Sequence, residues 1–146
     1  MKPLAGRTVL ITRSPEQAGE LTSLLVDMGA RVIEAPVIGF ADPLDWGPAD
    51  LAFSRLDSYD LIILTSANAA GRTHCRLKTL GLGLSARHHL IAIGPATAHR
   101  MESLGLTPRA VATDSRAEGV LALLLADGPV AGQRILIPRA EVARQL

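Results

Sequence analysis

The sequence predicts an α/β protein in which helices cover both faces of a doubly wound parallel sheet. Short apolar runs rich in β-branched residues alternate with segments of helical period, and several of these segments end near a glycine. Strands that alternate with helices of this length form parallel crossover units. With 146 residues, 48% of them apolar and 20% charged, the chain is typical of a globular protein.

The first predicted unit is a strand, a helix and a second strand. "TVLIT" (8–12) is a buried-strand pattern, and "SPEQ" after it reads as a helix start. Ser14 stands at the cap, Pro15 at the first helical position and Gln17 at the capping-box spacing. The apolar face of this helix is predicted to contain Leu21, Leu24, Leu25 and Met28, with Gly29 at its end. A second strand is predicted at 31–38.

Residues 39–58 interrupt this pattern and predict a connection between two lobes, because prolines, glycines and aspartates cluster there. The alternation then resumes. Strands are predicted at 60–65, 89–94, 108–113 and 133–138. Helices are predicted at 66–80, at 95–104, from Ser115 onward with Ala117, Val120, Leu121 and Leu124 as the apolar face, and from Arg139 onward. Met101 is predicted to lie in the core.

Composition excludes several classes of function. A net charge of +1 argues against a surface for nucleic acid or anionic membranes, and 3% aromatic residues against base stacking. No segment has the length and apolarity of a membrane helix or a signal peptide. The single Cys75 fits a reducing compartment, so a cytoplasmic location is expected. The four histidines lack the spacing of a metal site.

The candidate site lies beyond the carboxyl ends of the predicted strands, where ligands bind in open parallel sheets. These ends carry hydroxyl, amide and guanidinium groups, but no Asp, His or Cys directly at the turn. The polar residues concerned are Thr12, Arg13, Ser14, Thr65, Ser66, Asn68, Thr97 and Arg139. Together with the free N–H groups of helix starts they predict binding of anions. Gly94 would let a ligand approach the backbone closely.

Purely structural interpretations remain open for each of these residues. Ser14 and Ser115 have complete capping spacing and read mainly as helix caps. For Thr65, Ser66 and Thr97 the two interpretations are about equal, and the arginines could be solvated surface residues. Dinucleotide and P-loop sites are weakened, because neither G-x-G-x-x-G after a strand nor G-x-x-x-x-G-K-[ST] is present.

Four stretches together resemble, in order and spacing, the uroporphyrinogen-III synthase family. They are "GRTVLITRSPEQAGELTSLLVDMGARVIEAPVI", "YDLIILTSANAA", "IAIGPATAHRMESLGLTPRAVATDSRAEGVLALLL" and "GQRILIPRAE". The resemblance implies a flavodoxin-like fold of two lobes and a cyclising lyase that needs no cofactor or metal. Such an enzyme converts the linear tetrapyrrole hydroxymethylbilane into uroporphyrinogen III, with loss of water and inversion of ring D, in haem biosynthesis.

Motif for motif, the resemblance implies substrate-binding roles for Arg13, Thr65, Ser66, Gly94, Thr97 and Arg139. It identifies no catalytic residue, and Tyr59 does not match the tyrosine considered an acid candidate in the family. Residues 1–37 would form part of lobe one and 38–146 a shortened lobe two. We therefore expect the isolated chain to be inactive or nearly so and prone to self-association, whereas the family is expected to be monomeric. The alternative is a non-catalytic α/β module that binds an anionic small molecule or a protein partner.

Overall fold

The computed structural model describes residues 2–37, 39, 41–85, 87–114, 117–126 and 128–140, without the side chains of residues 15–17 and 117. The chain divides into two compact units, an N-terminal unit of Met1–Asp42 and a C-terminal unit of Pro43–Leu146. Each unit has its own parallel sheet, with two strands in the first and four in the second.

The N-terminal unit is the predicted β–α–β arrangement. Strands β1 (Thr8–Ile11) and β2 (Arg31–Glu34) pair in parallel, and helix α1 (Pro15–Asp27) connects them. The helix begins at Pro15, whose fixed φ suits the first helical position, and Gly29 follows its end with a φ of +93°. Thr22 on α1 donates a hydrogen bond to Glu34 Oε1 at 2.6 Å, so the helix covers the sheet face that bears Glu34.

The opposite face of this small sheet is open. Leu10 and Ile33 form a registered pair there and are 59% and 41% exposed. Three of the four residues on the predicted apolar face of α1, Leu21, Leu24 and Met28, are exposed, and Leu25 is half-buried. Two strands offer a helix too narrow a surface to bury a full apolar stripe.

The C-terminal unit contains four parallel strands in the order β5-β4-β3-β6. Its strands are β3 (Leu61–Leu64), β4 (His89–Ile93), β5 (Ala110–Ala112) and β6 (Ile135–Leu136). Its α-helices are α2 (Gly47–Phe53), α3 (Ala67–Thr79), α4 (Pro95–Ser103) and α5 (Ala117–Ala126), and a 3₁₀ helix spans Leu56–Ser58.

Both faces of the four-stranded sheet are covered, as predicted for a doubly wound fold. Ile62 and Leu64 belong to a core cluster with residues of α2, α3 and α4, including Met101, which is fully buried as predicted. Leu61 and Ile63 point to the opposite face and join a second cluster with α5. The alternation along β3 therefore separates the two cores, and the return connection through α5 crosses the sheet on the other side.

Residues 39–58 are more ordered than a plain connection. Phe53 of α2 and Leu56 of the 3₁₀ helix are buried in the first core cluster, which fixes this segment to the sheet. Arg76 of α3 donates from Nε to Asp50 Oδ1 at 2.7 Å and from Nη2 to Oδ2 at 2.5 Å. These hydrogen bonds lower the pKa of the Asp50 carboxyl. The sequence interpretation missed α2 because Gly47 and Pro48 read only as turn residues.

The later elements are shorter than predicted. The strand predicted at 133–138 pairs only at Ile135 and Leu136, and Arg139 and Ala140 are not helical. On α5, Leu121 of the predicted apolar face is exposed, whereas Val120, Leu123 and Leu124 pack against the sheet. Ser115 and the remainder of the helix predicted from Arg139, residues 141–146, lie outside the described residues.

His88, the residue before β4, has a structural role. His88 is buried, and its Nδ1 accepts the Ser85 N–H at 3.0 Å while its Nε2 lies 3.1 Å from Asp57 Oδ1. Since Nδ1 is an acceptor, the proton of the neutral ring belongs on Nε2, which donates to Asp57. His89 points outward and is exposed. Within the described ranges no group of three or more potential metal ligands is found, and no helix is long and apolar enough to cross a membrane.

Candidate functional site

The order of strands in the C-terminal unit identifies the edge at which a ligand would bind. From β3 the chain moves in one direction to β4 and β5, and α5 then returns it to β6 on the other side of β3. In open α/β sheets, ligands bind beyond the carboxyl ends of the strands at the position of such a reversal. The switch point therefore lies between the ends of β3 and β6.

Three predicted residues follow these two strands. Ile62 is registered with Leu136, and Thr65 and Arg139 each lie three positions further along in the same direction. Parallel strands thus bring Thr65, Ser66 and Arg139 to the same edge of the sheet. Arg139 and Ser66 are exposed and Thr65 is half-buried, so all three side chains have access to solvent.

Ser66 serves the helix that it precedes. Its Oγ accepts the N–H of Ala69 at 3.1 Å, which is the N-cap interaction of α3. The capping interpretation is therefore confirmed for this serine. The Ser66 hydroxyl still has a proton to donate, and its side chain remains exposed.

Gly94 joins β4 to α4 at the same edge, and its conformation explains the residue type. Its φ of +79° and ψ of 157° belong to a backbone region that is essentially restricted to glycine. Its own N–H donates to Ala112 O at 2.9 Å and is not available to a ligand. The free donors of this turn are the N–H groups of Ala96 and Thr97, because Pro95 has none.

The Thr97 side chain lies in the interior. It is 3% exposed, on the side of α4 that also carries the buried Ala98 and Met101. The hydroxyl therefore sits beneath the first turn of the helix, and contact of Thr97 with a ligand would be made more directly by its backbone N–H.

Arg13 belongs to the N-terminal unit. It follows the carboxyl end of β1 and is exposed. The neighbouring Ser14 is 5% exposed and makes no side-chain hydrogen bond to the helix that it precedes, so the predicted cap by Ser14 is wrong. Its Oγ is buried and has no hydrogen-bond partner among the described residues. The Gln17 side chain of the predicted capping box lies outside the described part of the structure.

The sequence interpretation missed the polar group that follows β5. A cavity of about 460 Å³ lies there, lined among others by Thr113, Asp114, Glu118 and Gly119. Gly119 allows this approach, since a Cβ at that position would stand 2.5 Å from Asp114 O. The signal was present as "TD" after a short predicted strand. A second cavity of about 300 Å³ lies at the opposite edge, beside Asp60, His89 and Arg109.

The predicted residues carry hydrogen-bond donors suited to anions, and none of them has a carboxyl, imidazole or thiol group. In the C-terminal unit, the Arg139 guanidinium, the Thr65 and Ser66 hydroxyls and the first turns of α3 and α4 offer donors and positive charge. In the N-terminal unit, Arg13 offers a guanidinium group of its own. The carboxylates of Asp114 and Glu118 line the cavity after β5. The chemistry that this set favours is the binding and orientation of a molecule rich in carboxylates.

Comparisons with known proteins agree with one another. The family model described as "Uroporphyrinogen-III synthase HemD" matches residues 19–146. A uroporphyrinogen-III synthase of Synechococcus elongatus is 34% identical over 141 residues, covering 96% of this chain and 53% of that protein. A putative uroporphyrinogen-III synthase of Methanothermobacter thermautotrophicus is 31% identical over 137 residues, covering 93% of this chain and 53% of that protein. The chain spans about half the length of the curated relatives that it matches.

Solved structures give the same answer for the fold. The chain is similar to a crystal structure of uroporphyrinogen III synthase from Thermus thermophilus, with a TM-score of 0.56 and 20% identity. That match covers 95% of this chain and 54% of the other.

Proposed function

The chain belongs to the uroporphyrinogen-III synthase family, and on that basis we propose that it contributes to the cyclisation of hydroxymethylbilane to uroporphyrinogen III. The observation that carries the proposal is the reversal of strand order at β3, beyond which Thr65, Ser66 and Arg139 share one edge of the sheet. The substrate is a linear tetrapyrrole that carries many carboxylates, and this edge is rich in donors to carboxylates.

The reaction requires positioning more than strong acid–base catalysis. The substrate loses water from its hydroxymethyl end and leaves an azafulvene, which is attacked by a pyrrole carbon of ring D. A spiro intermediate then leads to inversion of ring D and closure of the macrocycle. Binding must present one ring carbon to the azafulvene instead of its neighbour, so orientation provides a large share of the selectivity. Modest proton donation to the leaving hydroxyl suffices, because that group departs readily.

The roles of the residues follow from their exposure and chemistry. Arg13 and Arg139 are exposed guanidinium groups that would bind substrate carboxylates in a two-pronged geometry. Thr65 and Ser66 would donate hydroxyl hydrogen bonds. Gly94 would contribute through its backbone conformation, which begins α4 and exposes the N–H groups of Ala96 and Thr97 to an anion.

We further propose that residues 1–37 belong to one lobe and 38–146 to the other. The open face at Leu10 and Ile33, together with the two-stranded sheet, supports a need for additional polypeptide in the first lobe. We expect the chain alone to have little or no synthase activity and to self-associate through such apolar surface. The complete enzyme would act as a monomer in the cytoplasm.

The test is an anaerobic assay with hydroxymethylbilane, in which isomers I and III are separated by chromatography after oxidation. Isomer I is the product of closure without inversion of ring D, so isomer III above the uncatalysed background reports the enzyme. The chain would be assayed alone and after co-expression with the half of the Synechococcus relative that it does not cover. We expect isomer III only from the combination.

Arg139→Ala is expected to lower kcat/KM of that combination by about tenfold, because an exposed charged contact to a carboxylate is lost. Arg55→Ala, another exposed arginine of the C-terminal unit, is the matched control and should leave it unchanged. Tight binding of hydroxymethylbilane with no isomer III from an intact, folded complex would favour the non-catalytic binding module.

A further inference from the structure

Two serines occupy equivalent positions in this fold but behave differently. Ser14 follows β1 and precedes α1, and Ser66 follows β3 and precedes α3. Both have extended backbone conformations of the kind found at helix caps, with φ/ψ of −61°/151° and −160°/161°. Ser66 caps its helix, whereas Ser14 makes no side-chain cap hydrogen bond.

The hydroxyl of Ser14 is an anomaly in its own right. The residue is only 5% exposed, and its Oγ has no hydrogen-bond partner in the part of the chain that the structure describes. Buried polar atoms are nearly always hydrogen-bonded, and an unsatisfied one is destabilising. The Ser14 hydroxyl can therefore take a partner that the described chain does not supply, and a bound ligand would be such a partner.

The surrounding turn has the chemistry of an anion site. Pro15 has no N–H, and the N–H groups of Glu16 and Gln17 are in the first turn of a 13-residue helix that the Ser14 side chain does not cap. The helix dipole places positive potential at this end. Arg13 adds an exposed guanidinium immediately before the serine.

We propose that Ser14, together with the first-turn amides of α1, binds a carboxylate of the tetrapyrrole substrate. The class of ligand in this inference rests on the proposed function, and the position of the site rests on the unsatisfied Ser14 hydroxyl. Rotation about the Cα–Cβ bond moves Oγ between staggered positions without moving the backbone, so the hydroxyl can turn to the helix end when a carboxylate arrives. There the Ser14 O–H donates a hydrogen bond to the carboxylate, and the backbone N–H groups donate further hydrogen bonds to it. Ser66 differs because a permanent acceptor role in its own cap fixes its oxygen.

The first experiment tests the anion site without reference to the substrate. Sulfate is titrated into the ¹⁵N-labelled full chain, and the amide resonances of residues 16–18 are followed. We expect saturable shifts in the wild type, much weaker shifts in Ser14→Ala and unchanged shifts in Ser23→Ala. Ser23 is a matched control because it lies on the same helix and donates only to Gly19 O at 3.0 Å. Equal shifts in wild type and Ser14→Ala would overturn the site.

The second experiment uses uroporphyrin III, the stable oxidised octacarboxylate, as a probe for binding by the full chain. Ser14→Ala should weaken binding by about tenfold, the usual effect of losing one hydrogen bond to a charged group. Its melting temperature should stay at or above that of the wild type, because no hydrogen bond within the fold is lost.

The remaining outcomes separate the two proposals. If Arg139→Ala weakens uroporphyrin binding and Ser14→Ala does not, the role of Ser14 is refuted and the proposed function stands. If the wild type binds sulfate at residues 16–18 but not uroporphyrin III, the proposed ligand class is refuted for both. If Ser14→Ala unfolds the chain, Ser14 is a structural residue and the inference fails.

Discussion

Replacement of Gly94 by alanine tests the physical account of the strand-to-helix turn most directly. At φ +79° and ψ 157°, a Cβ is placed in a region that residues other than glycine essentially never adopt. The strain of such a conformation is about 1–3 kcal/mol. Relief by rotation to negative φ would break the hydrogen bond from Gly94 N–H to Ala112 O and displace the start of α4, at about 1 kcal/mol for each hydrogen bond lost.

The expected loss in free energy of unfolding for Gly94→Ala is therefore about 2–4 kcal/mol. Urea unfolding followed by the fluorescence of Trp46 is the assay, since this is the single tryptophan of the chain and its ring lies 4.5 Å from the Arg76 guanidinium. With an m-value of about 1–3 kcal/mol/M, the midpoint should fall by about 1 M or more. Melting should begin roughly 8 °C or more lower, for a unit of about 100 residues.

Gly83→Ala is the matched control. Gly83 has no positive φ, and a Cβ there would meet nothing within 4 Å, so this variant should unfold like the wild type or slightly later. A Gly94→Ala midpoint equal to that of the wild type would refute the argument from backbone conformation. An equal loss in both variants would show that glycine content, not the turn, determines the effect.

Three further predictions concern single interactions. Ser66→Ala should lower the free energy of unfolding by about 1 kcal/mol in the same urea assay, because the Ala69 N–H loses its cap, and an unchanged midpoint would contradict the cap. Gly19→Ala should stabilise α1 by about 0.5–1 kcal/mol, because a Cβ on this mid-helix glycine would meet nothing within 4 Å. Amide exchange in α1 should become slower, and faster exchange would contradict the prediction. The Arg76 hydrogen bonds lower the pKa of Asp50 in the folded state. The contribution of Asp50 to stability is therefore present above its unfolded pKa near 4 and is lost as the pH falls through its folded pKa. Asp50→Asn should flatten the acid side of the stability–pH profile, and an unaltered slope would exclude Asp50 as the source of that pH dependence.

The fold class could be predicted because local pattern and tertiary structure agree. The run at 61–64 is apolar at every position, which is typical of a strand covered on both faces, and the structure buries all of it. Gly29 and Gly105 follow α1 and α4 with positive φ, and both α1 and α4 begin at a proline. These signals act over a few residues, so sequence alone reveals them.

Other features depend on partners distant in sequence. The helix at 47–53 is held by Phe53 in the core and by Asp50 with Arg76, 26 positions further on, and no local pattern announces either contact. The apolar stripe of α1 was assigned correctly to one face, but burial depends on the width of the sheet beneath it. The assignment of Leu121 to the apolar face of α5 was wrong for a related reason, because packing on the sheet sets the rotation of this helix about its axis.

The candidate site shows the same division. Strand ends and residue types pointed to Thr65, Ser66 and Arg139, and the parallel register places them at one edge. Whether each serine hydroxyl caps its helix could not be predicted. Ser14 and Ser66 have similar sequence contexts, yet only one caps a helix, because side-chain rotamers depend on packing from outside the turn.

The short strand β6 holds the segment that carries Arg139 at the edge of the four-stranded sheet. Ile135 and Leu136 are the two residues registered with β3, and hydrogen bonds between Arg134 and Asp60 hold the chain just before them. Because the strand is so short and follows the long return through α5, we expect it to open at a lower free energy than the other three strands. Detachment would carry the Arg139 guanidinium away while the other three strands stay together. A polyanion that engages Arg139 would act against that opening, so amide exchange of residues 135–136 should slow in its presence.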